Sequence, residues 1–324
     1  MKIDDIISNI EKKYGKGSVI SFDEGTVDII TTPSGILTLD IALGGGYPQG
    51  RIVEIFGEES TGKTTLAIHA AIEVQRQGRV VVYIDFENAF DPVYAESLGL
   101  QLTKDKFLFV QPCSGEEGFD IGEDFLLADN IGIIIIDSVS AMVPKAELEG
   151  DFGDSKMGLH ARLMSQGMRK LVSKINKSKA TVIFINQLRD QIGVMFGDPK
   201  VTTGGNALKF YASQRIRLYS AGSKKEGEVV VATTVRAKII KNKIAAPFRE
   251  ARFDICFGEG VDNLQCILDL AVQEAIVKKS GSWYSYMETK LGQGEVAAKS
   301  ILRDNPELLD EITLKVKKNC GLID

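Results

Sequence analysis

Histidine is almost missing from this chain: of 324 residues, only His69 and His160 carry an imidazole. That argues against a histidine-based metal centre, which draws on several imidazoles at close spacing. His69 reads as a packed or solvated side chain rather than a catalytic one. Cysteine is equally sparse. Cys113, Cys256, Cys266 and Cys320 stand far apart with no C-x-x-C pair, a pattern of reduced thiols in a cytosolic protein rather than a zinc site or disulfide frame. No run of 18 apolar residues occurs, and the most hydrophobic stretch, Ile131 to Ile136, has the length of a strand, so no membrane span is expected. The start, Met1-Lys-Ile-Asp-Asp-Ile-Ile, has neither a secretory apolar core nor an arginine-rich, acid-poor character, and a cytoplasmic location is expected. Internal repeats and low-complexity tracts are absent too.

What is present is ordinary in bulk and uneven in detail. Hydrophobic content of 44% and charged content of 26% suit a globular protein with one large α/β domain and a smaller one. The net charge of −5 discourages a nucleic-acid partner, yet its distribution reverses that. Lys156 to Arg217 holds twelve Lys and Arg against Asp190 and Asp198, a net +10, whereas Gln111 to Ser155 holds eleven acids against Lys145 alone. Taken alone, such a run also suits a merely solvated face.

The most informative stretch is Gly57-Glu58-Glu59-Ser60-Thr61-Gly62-Lys63-Thr64, a phosphate-cradling G-x-x-x-x-G-K-[ST] pattern. Arg51 to Phe56 before it reads as a buried strand, and Thr65 to Arg76 after it as a helix ending near Gly78. These flanks put the loop at a helix N-terminus, where free N–H groups and the dipole face an anion. Lys63 would then reach the β- and γ-phosphates of a nucleotide, and the Thr64 hydroxyl would bind Mg²⁺.

Further along, strands at Val80–Ile84, Phe107–Val110, Ile131–Ile136 and Thr181–Ile185 alternate with helical stretches, among them an amphipathic helix over Leu159–Lys177. Alternation of this kind predicts a mostly parallel sheet flanked by helices, the α/β class of phosphate-loop NTPases. The expected division is residues 1–25 (a short helix, Ile3 to Tyr14, and a linker), 26–261 (the core) and 262–324 (a small α+β domain with a hairpin at Gly281-Ser-Trp-Tyr). Residues 146–157 and 188–205 resist assignment and read as long, functional loops.

Ligands in open α/β sheets bind beyond the carboxyl ends of the strands. The strand ends here carry the phosphate loop, Asp85 with Glu87, Asp137, and Gln187. Asp137 after four isoleucines resembles the second nucleotide-binding motif of phosphate-loop enzymes, which implies Mg²⁺ held through water. Glu87 could take a proton from an attacking water, and Gln187 could bond the γ-phosphate and signal it to the loop that follows.

Ile84-Asp-Phe-Glu87, Ile135-Ile-Asp-Ser138, Met164-Ser-Gln166, Phe184-Ile-Asn-Gln187, Thr203-Gly-Gly-Asn-Ala-Leu-Lys-Phe-Tyr211 and Lys241-Asn-Lys-Ile-Ala-Ala-Pro-Phe248, with the phosphate loop, resemble the bacterial RecA recombinases from about Ile10 to Lys318. The resemblance implies a RecA-like fold and an ATP- and Mg²⁺-dependent helical filament of this chain on single-stranded DNA. That filament would pair its strand with homologous double-stranded DNA, exchange strands, and stimulate self-cleavage of a repressor. It also implies roles for individual residues. Glu87 is the general base and Gln187 the γ-phosphate sensor. Gly57 through Thr65 hold the nucleotide, while Asp91 and Tyr94 contact adenine. Lys241 and Lys243 reach ATP on the adjacent subunit, and Phe210 couples subunits. Met157, Arg162, Arg169, Gly204, Gly205 and Asn206 lie along the DNA. Ile192, Met195 or Phe196 would wedge between base steps.

The chain departs from the family pattern at Glu58, at Asn88, and in the acidic stretch Gly118 to Phe125. Lys315 to Asp324 lacks a long acidic tail, so easier duplex entry and weaker magnesium dependence are expected. A regulatory DNA filament without strand exchange and a ring-forming motor on the same core remain as alternatives. The Gly204-Gly205-Asn206 segment and the Lys241/Lys243 pair speak against the motor.

Overall fold

The computed structural model describes residues 2–15, 18–19, 29–151, 158–190 and 200–323. They form two units, Met1–Ile30 and Thr31–Asp324. The first unit contains α1 (Ile3–Tyr14), with Asp4 and Asp5 in its first turn and Lys12 and Lys13 in its last, charges that oppose the helix dipole. None of its residues is buried, and a helix of this length is marginal alone in water.

In the second unit, β1 (Thr31–Thr32) and β2 (Tyr47–Pro48) bracket α2 (Leu37–Leu43) in the chain. Strands and helices then alternate through β3 (Ile52–Gly57), α3 (Lys63–Arg76), β4 (Val80–Asp85), α4 (Pro92–Ser97), β5 (Phe107–Val110) and α5 (Gly115–Phe125). The alternation continues with β6 (Ile131–Asp137), α6 (Lys145–Leu148), α7 (Leu159–Ser178) and β7 (Thr181–Asp190). Next come β8 (Lys200–Thr202), α8 (Ala207–Tyr211), β9 (Gln214–Glu226), β10 (Val229–Asn242), β11 (Glu250–Cys256) and β12 (Gly260–Val261). The chain closes with α9 (Asn263–Gln273), β13 (Lys278–Ser280), β14 (Trp283–Tyr286), β15 (Thr289–Gln293), α10 (Glu295–Asp304) and α11 (Pro306–Asn319).

The central sheet runs β12-β11-β10-β9-β3-β7-β6-β4-β5, with β8 attached to β7. From β9 to β5 all pairings are parallel, and β10, β11 and β12 extend it antiparallel, so the expected α/β architecture is present. Alternate strand residues feed two cores, as the period of two requires. Val53, Ile55, Val81, Tyr83, Ile133 and Ile183 pack with α3, whereas Val82, Ile84, Ile134, Val182 and Phe184 pack with α5 and α7. Covering both faces explains why these strands read as unbroken apolar runs. A third cluster joins α9, α10 and α11 to the β13-β14-β15 sheet through Leu268, Tyr284, Leu291, Leu302 and Ile312.

The acidic stretch from Gly118 is a helix pressed onto α7. A Cβ on Gly167 would lie 2.5 Å from the Phe119 ring, and one on Gly115 would lie 2.3 Å from Leu163 Cδ2. Lys170 meets Asp120 at 2.9 Å and Lys174 meets Glu123 at 3.8 Å, so part of the basic run is balanced by the acidic one.

Two expectations shift. β7 does not stop at Ile185 but continues to Asp190 and pairs antiparallel with β8, through Leu188↔Thr202, Arg189↔Val201 and Asp190↔Lys200. A ribbon whose residues are largely outside the core needs no apolar face, which is why it reads as loop. The segment from 146 opens with the last three residues of α6, Lys145–Leu148.

Candidate functional site

Parallel register places these groups in two adjacent pairs: Gly57 of β3 pairs with Gln187 of β7, and Asp85 of β4 with Asp137 of β6. Beyond them opens a cleft of about 430 Å³, lined by the phosphate loop, Glu87, Asp137 and Gln187, and by Tyr94, Ile255 and Gly258. Glycine is required at two loop positions. Gly62 has φ +85°, and a Cβ there would stand 2.2 Å from Ile255 Cδ1; on Gly57 it would stand 2.7 Å from the Leu218 carbonyl oxygen. Thr61 Oγ1 and Lys63 Nζ both donate to the Glu58 carbonyl, at 2.8 and 2.6 Å, and the Glu58 carboxylate pairs with Lys200. Glu59 and Ser60 complete the loop lining. Burial lowers the pKa of the Lys63 ammonium, and Asp137, Glu87 and Glu59 oppose that shift.

Thr64 Oγ1 donates to Asp137 Oδ2 at 2.9 Å, and the Tyr83 hydroxyl donates to the same oxygen at 2.6 Å. Burial pushes the Asp137 carboxyl up to about 6, with Tyr83 and Thr64 pulling it back. A hydroxyl and a carboxylate oxygen side by side are hard donors of the kind Mg²⁺ takes together with retained waters and phosphate oxygens. The residues therefore fit that ion.

Glu87 is held by a loop that Asp85 organises. Asp85 Oδ1 accepts the N–H groups of Glu87 and Asn88, and Oδ2 those of Ala89 and Phe90, at 2.9 to 3.2 Å. Asn88 sits at φ +54°, a conformation asparagine tolerates well. Glu87 Oε1 accepts from Gln187 Nε2 at 2.7 Å and from the Ser138 hydroxyl, which is 2.7 Å from Ser140 Oγ. The residue expected as base and the residue expected as phosphate sensor are thus bonded to each other. Beside them, Asp91 caps α4 by accepting Tyr94 N–H at 3.0 Å, and the Tyr94 hydroxyl lies 3.2 Å from Thr65 Oγ1.

A buried polar chain leads away from the cleft. Asn186 Nδ2 donates to Glu54 Oε1 at 3.0 Å and to the Thr203 carbonyl at 3.1 Å. Its Oδ1 accepts from Gln187 N–H at 2.9 Å and Thr203 Oγ1 at 2.6 Å. Glu54 also pairs with Arg215. Gly204 and Gly205 follow, at φ +84° and +73°, where a Cβ would press on Met164 and on Ala161 of α7 at 2.9 and 3.0 Å. Seven residues apart, Arg162 and Arg169 are exposed on one face of α7. Asn206 precedes α8 and accepts from Lys209 Nζ at 3.2 Å. Met157, Ile192, Met195 and Phe196 lie outside the described residues.

Lys241 Nζ donates to the carbonyls of Lys209 and Phe210 at 2.8 and 2.9 Å, satisfying the end of α8. Phe210 is 74% exposed and lines a small groove with Lys243. Neither lysine is among the residues lining the phosphate cleft. Sequence reasoning missed the loop-forming part of Asp85, the bond from Ser138 and the Asn186 relay. Glu54, an acid inside an otherwise apolar strand, was the legible signal for the relay.

Comparison with known proteins identifies the family. Residues 1–262 match the RecA N-terminal domain and residues 265–321 the RecA C-terminal domain. Protein RecA of Porphyromonas gingivalis is 53% identical over 95% of this chain and 91% of its own length. Protein RecA of Bacteroides thetaiotaomicron is 53% identical over 94% and 93%. Protein RecA of Azospirillum lipoferum is 50% identical over 99% and 90%. A crystal structure of the RadB recombinase shares the fold, with a TM-score of 0.54 at 22% identity over 71% of this chain and 98% of that one. Two domain matches that together span the sheet and the C-terminal helices, with half the residues identical to curated relatives, establish that the chain belongs to the RecA recombinase family.

Proposed function

We propose that the protein hydrolyses ATP with Mg²⁺ as a filament on single-stranded DNA, and uses the nucleotide state to pair that strand with homologous duplex and exchange strands. The observation that carries the reading is the continuous polar path from the phosphate cleft to the segment on α7: Glu87 to Gln187, then Asn186, Thr203 and Gly204–Gly205.

In this reading the loop N–H groups and Lys63 bind the phosphates. Thr64 would hold Mg²⁺ directly and Asp137 through water, and the ion would offset charge on the phosphate oxygens. Glu87 removes a proton from the attacking water, with Ser138 fixing its carboxylate. Gln187 exchanges its bond to Glu87 for the γ-phosphate, and β7 carries that change into residues 188–205. Tyr94 stacks on adenine and Asp91 supports it. Arg162, Arg169 and the N–H groups around Gly204, Gly205 and Asn206 take DNA phosphates without reading sequence, as single-strand binding requires. Lys241, Lys243 and Phe210 would act on the adjoining copy, which makes ATP part of the subunit contact; α1, with no buried residue, is suited to packing on a neighbour. A head-to-tail contact that does not close yields a helical filament. Repressor self-cleavage would use that filament as a scaffold, and the setting is cytoplasmic. Among the described residues no helix is long and apolar enough to cross a membrane.

The test is ATP turnover with and without single-stranded DNA. Turnover is expected to rise on adding DNA, and an unchanged rate would count against any DNA-gated ATPase.

A further inference from the structure

One wall of the cleft is the end of β11 and the turn that follows it. Ile255, Phe257 and Gly258 line the cleft together with Tyr94 of α4, and the turn runs on into Gly260 and Val261 of β12. Its fastening comes from outside. His69 on α3 accepts the Val261 N–H at Nε2, 3.1 Å away. Gly260, at φ +79°, passes so close to the helices that a Cβ would lie 2.6 Å from Leu98 Cδ2 and 2.9 Å from His69 Nε2. Ser97 Oγ stands 3.2 Å from the Gly258 carbonyl and 2.7 Å from that of Tyr94, so one hydroxyl proton bridges α4 and the turn.

α3 begins at Lys63, under two turns before His69. The helix that presents the phosphate loop therefore also anchors the opposite end of the ligand site. Burial pushes the His69 imidazole down to about 4, which keeps it neutral, with Nε2 an acceptor and the proton on Nδ1.

We propose that His69, with Ser97 as a second tie, is a positioning residue that seats the Phe257–Val261 turn against α3 and α4 and so sets the width of the slot that takes a purine base beside Tyr94. The proposal rests on the reading of the cleft as an ATP site. A flat ring gains dispersion from both faces only at contact distance, and a gap of about 1 Å forfeits up to about half of it. Phosphate contacts come from the loop N–H groups and Lys63, which do not depend on the turn. Loosening it should weaken base binding and leave phosphate binding alone, a split that a general structural role would not produce.

The test is equilibrium binding of two probes, AMP-PNP and inorganic tripolyphosphate, to the full chain with Mg²⁺. His69→Ala is expected to weaken AMP-PNP about five- to tenfold while tripolyphosphate stays within about twofold. His69→Gln, whose amide oxygen can accept the Val261 N–H, should restore AMP-PNP affinity. Ser97→Ala, at an exposed position, should weaken AMP-PNP about two- to threefold with tripolyphosphate unchanged, and it decides alone if His69→Ala does not melt cooperatively. Unchanged AMP-PNP affinity in these variants, or tripolyphosphate affinity falling in step, would overturn the proposal and leave the nucleotide reading intact. A wild-type protein that binds neither probe would overturn both.

Discussion

Gln187 Nε2 donates to Glu87 Oε1 across 2.7 Å, joining β7 to the Asp85-built loop after β4 inside the phosphate cleft. One atom pair thus connects the group assigned to proton removal with the strand leading to the segment that the proposed function gives to DNA. Glu87→Gln should therefore retain AMP-PNP binding and filament assembly, and lower ATP turnover by a factor of about 10² or more. Steady-state hydrolysis with sedimentation of filaments checks this; normal turnover in the variant would remove Glu87 from its role.

Gln187→Ala breaks the same contact from the other side. In the wild type, AMP-PNP should tighten single-stranded DNA binding. In the variant, the ratio of DNA dissociation constants with and without AMP-PNP should move toward one. Titration of labelled oligonucleotide measures both, at fixed salt because phosphate contacts are salt-dependent.

Asn186, at 0% exposure, joins Glu54 of β3 to Thr203 through three hydrogen bonds and accepts a fourth from the Gln187 N–H. Asn186→Leu leaves Glu54 and Thr203 without those partners, and should cost about 1–3 kcal/mol in urea unfolding. Coupling of AMP-PNP to DNA binding should fall as well, because Thr203 loses its tie to β7.

Gly167→Ala tests the packing of α5 on α7. The added methyl would meet the buried Phe119 ring at 2.5 Å, and overpacking of this kind costs about 1–3 kcal/mol. Urea unfolding reads this loss, and equal stability would show that α5 can move aside freely.

His69 also carries a signed pH dependence. Its folded pKa of about 4 lies below the ordinary 6.5, so the unfolded chain takes up this proton first as pH falls. The stabilisation tied to neutral His69 is complete above pH 6.5, declines toward pH 4, and is at most about 3 kcal/mol over that interval. The wild type should therefore lose stability relative to His69→Gln across that window, as followed by urea unfolding at several pH values.

The parallel core was legible because its strands carry unbroken apolar runs that end in polar residues; Ile131 to Asp137 is the plainest case. The phosphate loop was legible through its flanks, and the RecA-like segments through several stretches that resemble the family in chain order. The β7–β8 ribbon was not, since it lies outside the cores and carries no periodic signal. Asp85 and Asn186 were hidden for a different reason. Each acts by accepting or relaying bonds to groups distant in sequence or to backbone N–H groups, and a single letter in a strand end does not reveal which. The acidic stretch at Gly118 has its explanation in the fold, where Gly118 abuts the Phe86 ring and Asp120 and Glu123 face the lysines of α7.

Strand exchange between a circular single strand and a homologous linear duplex, with ATP and Mg²⁺, tests the central claim most directly. The expected result is nicked circular duplex from the wild type, none from Lys63→Ala, and none with a heterologous duplex. DNA-stimulated hydrolysis without any exchanged product would contradict the recombinase reading and leave a nucleotide-gated DNA filament in its place.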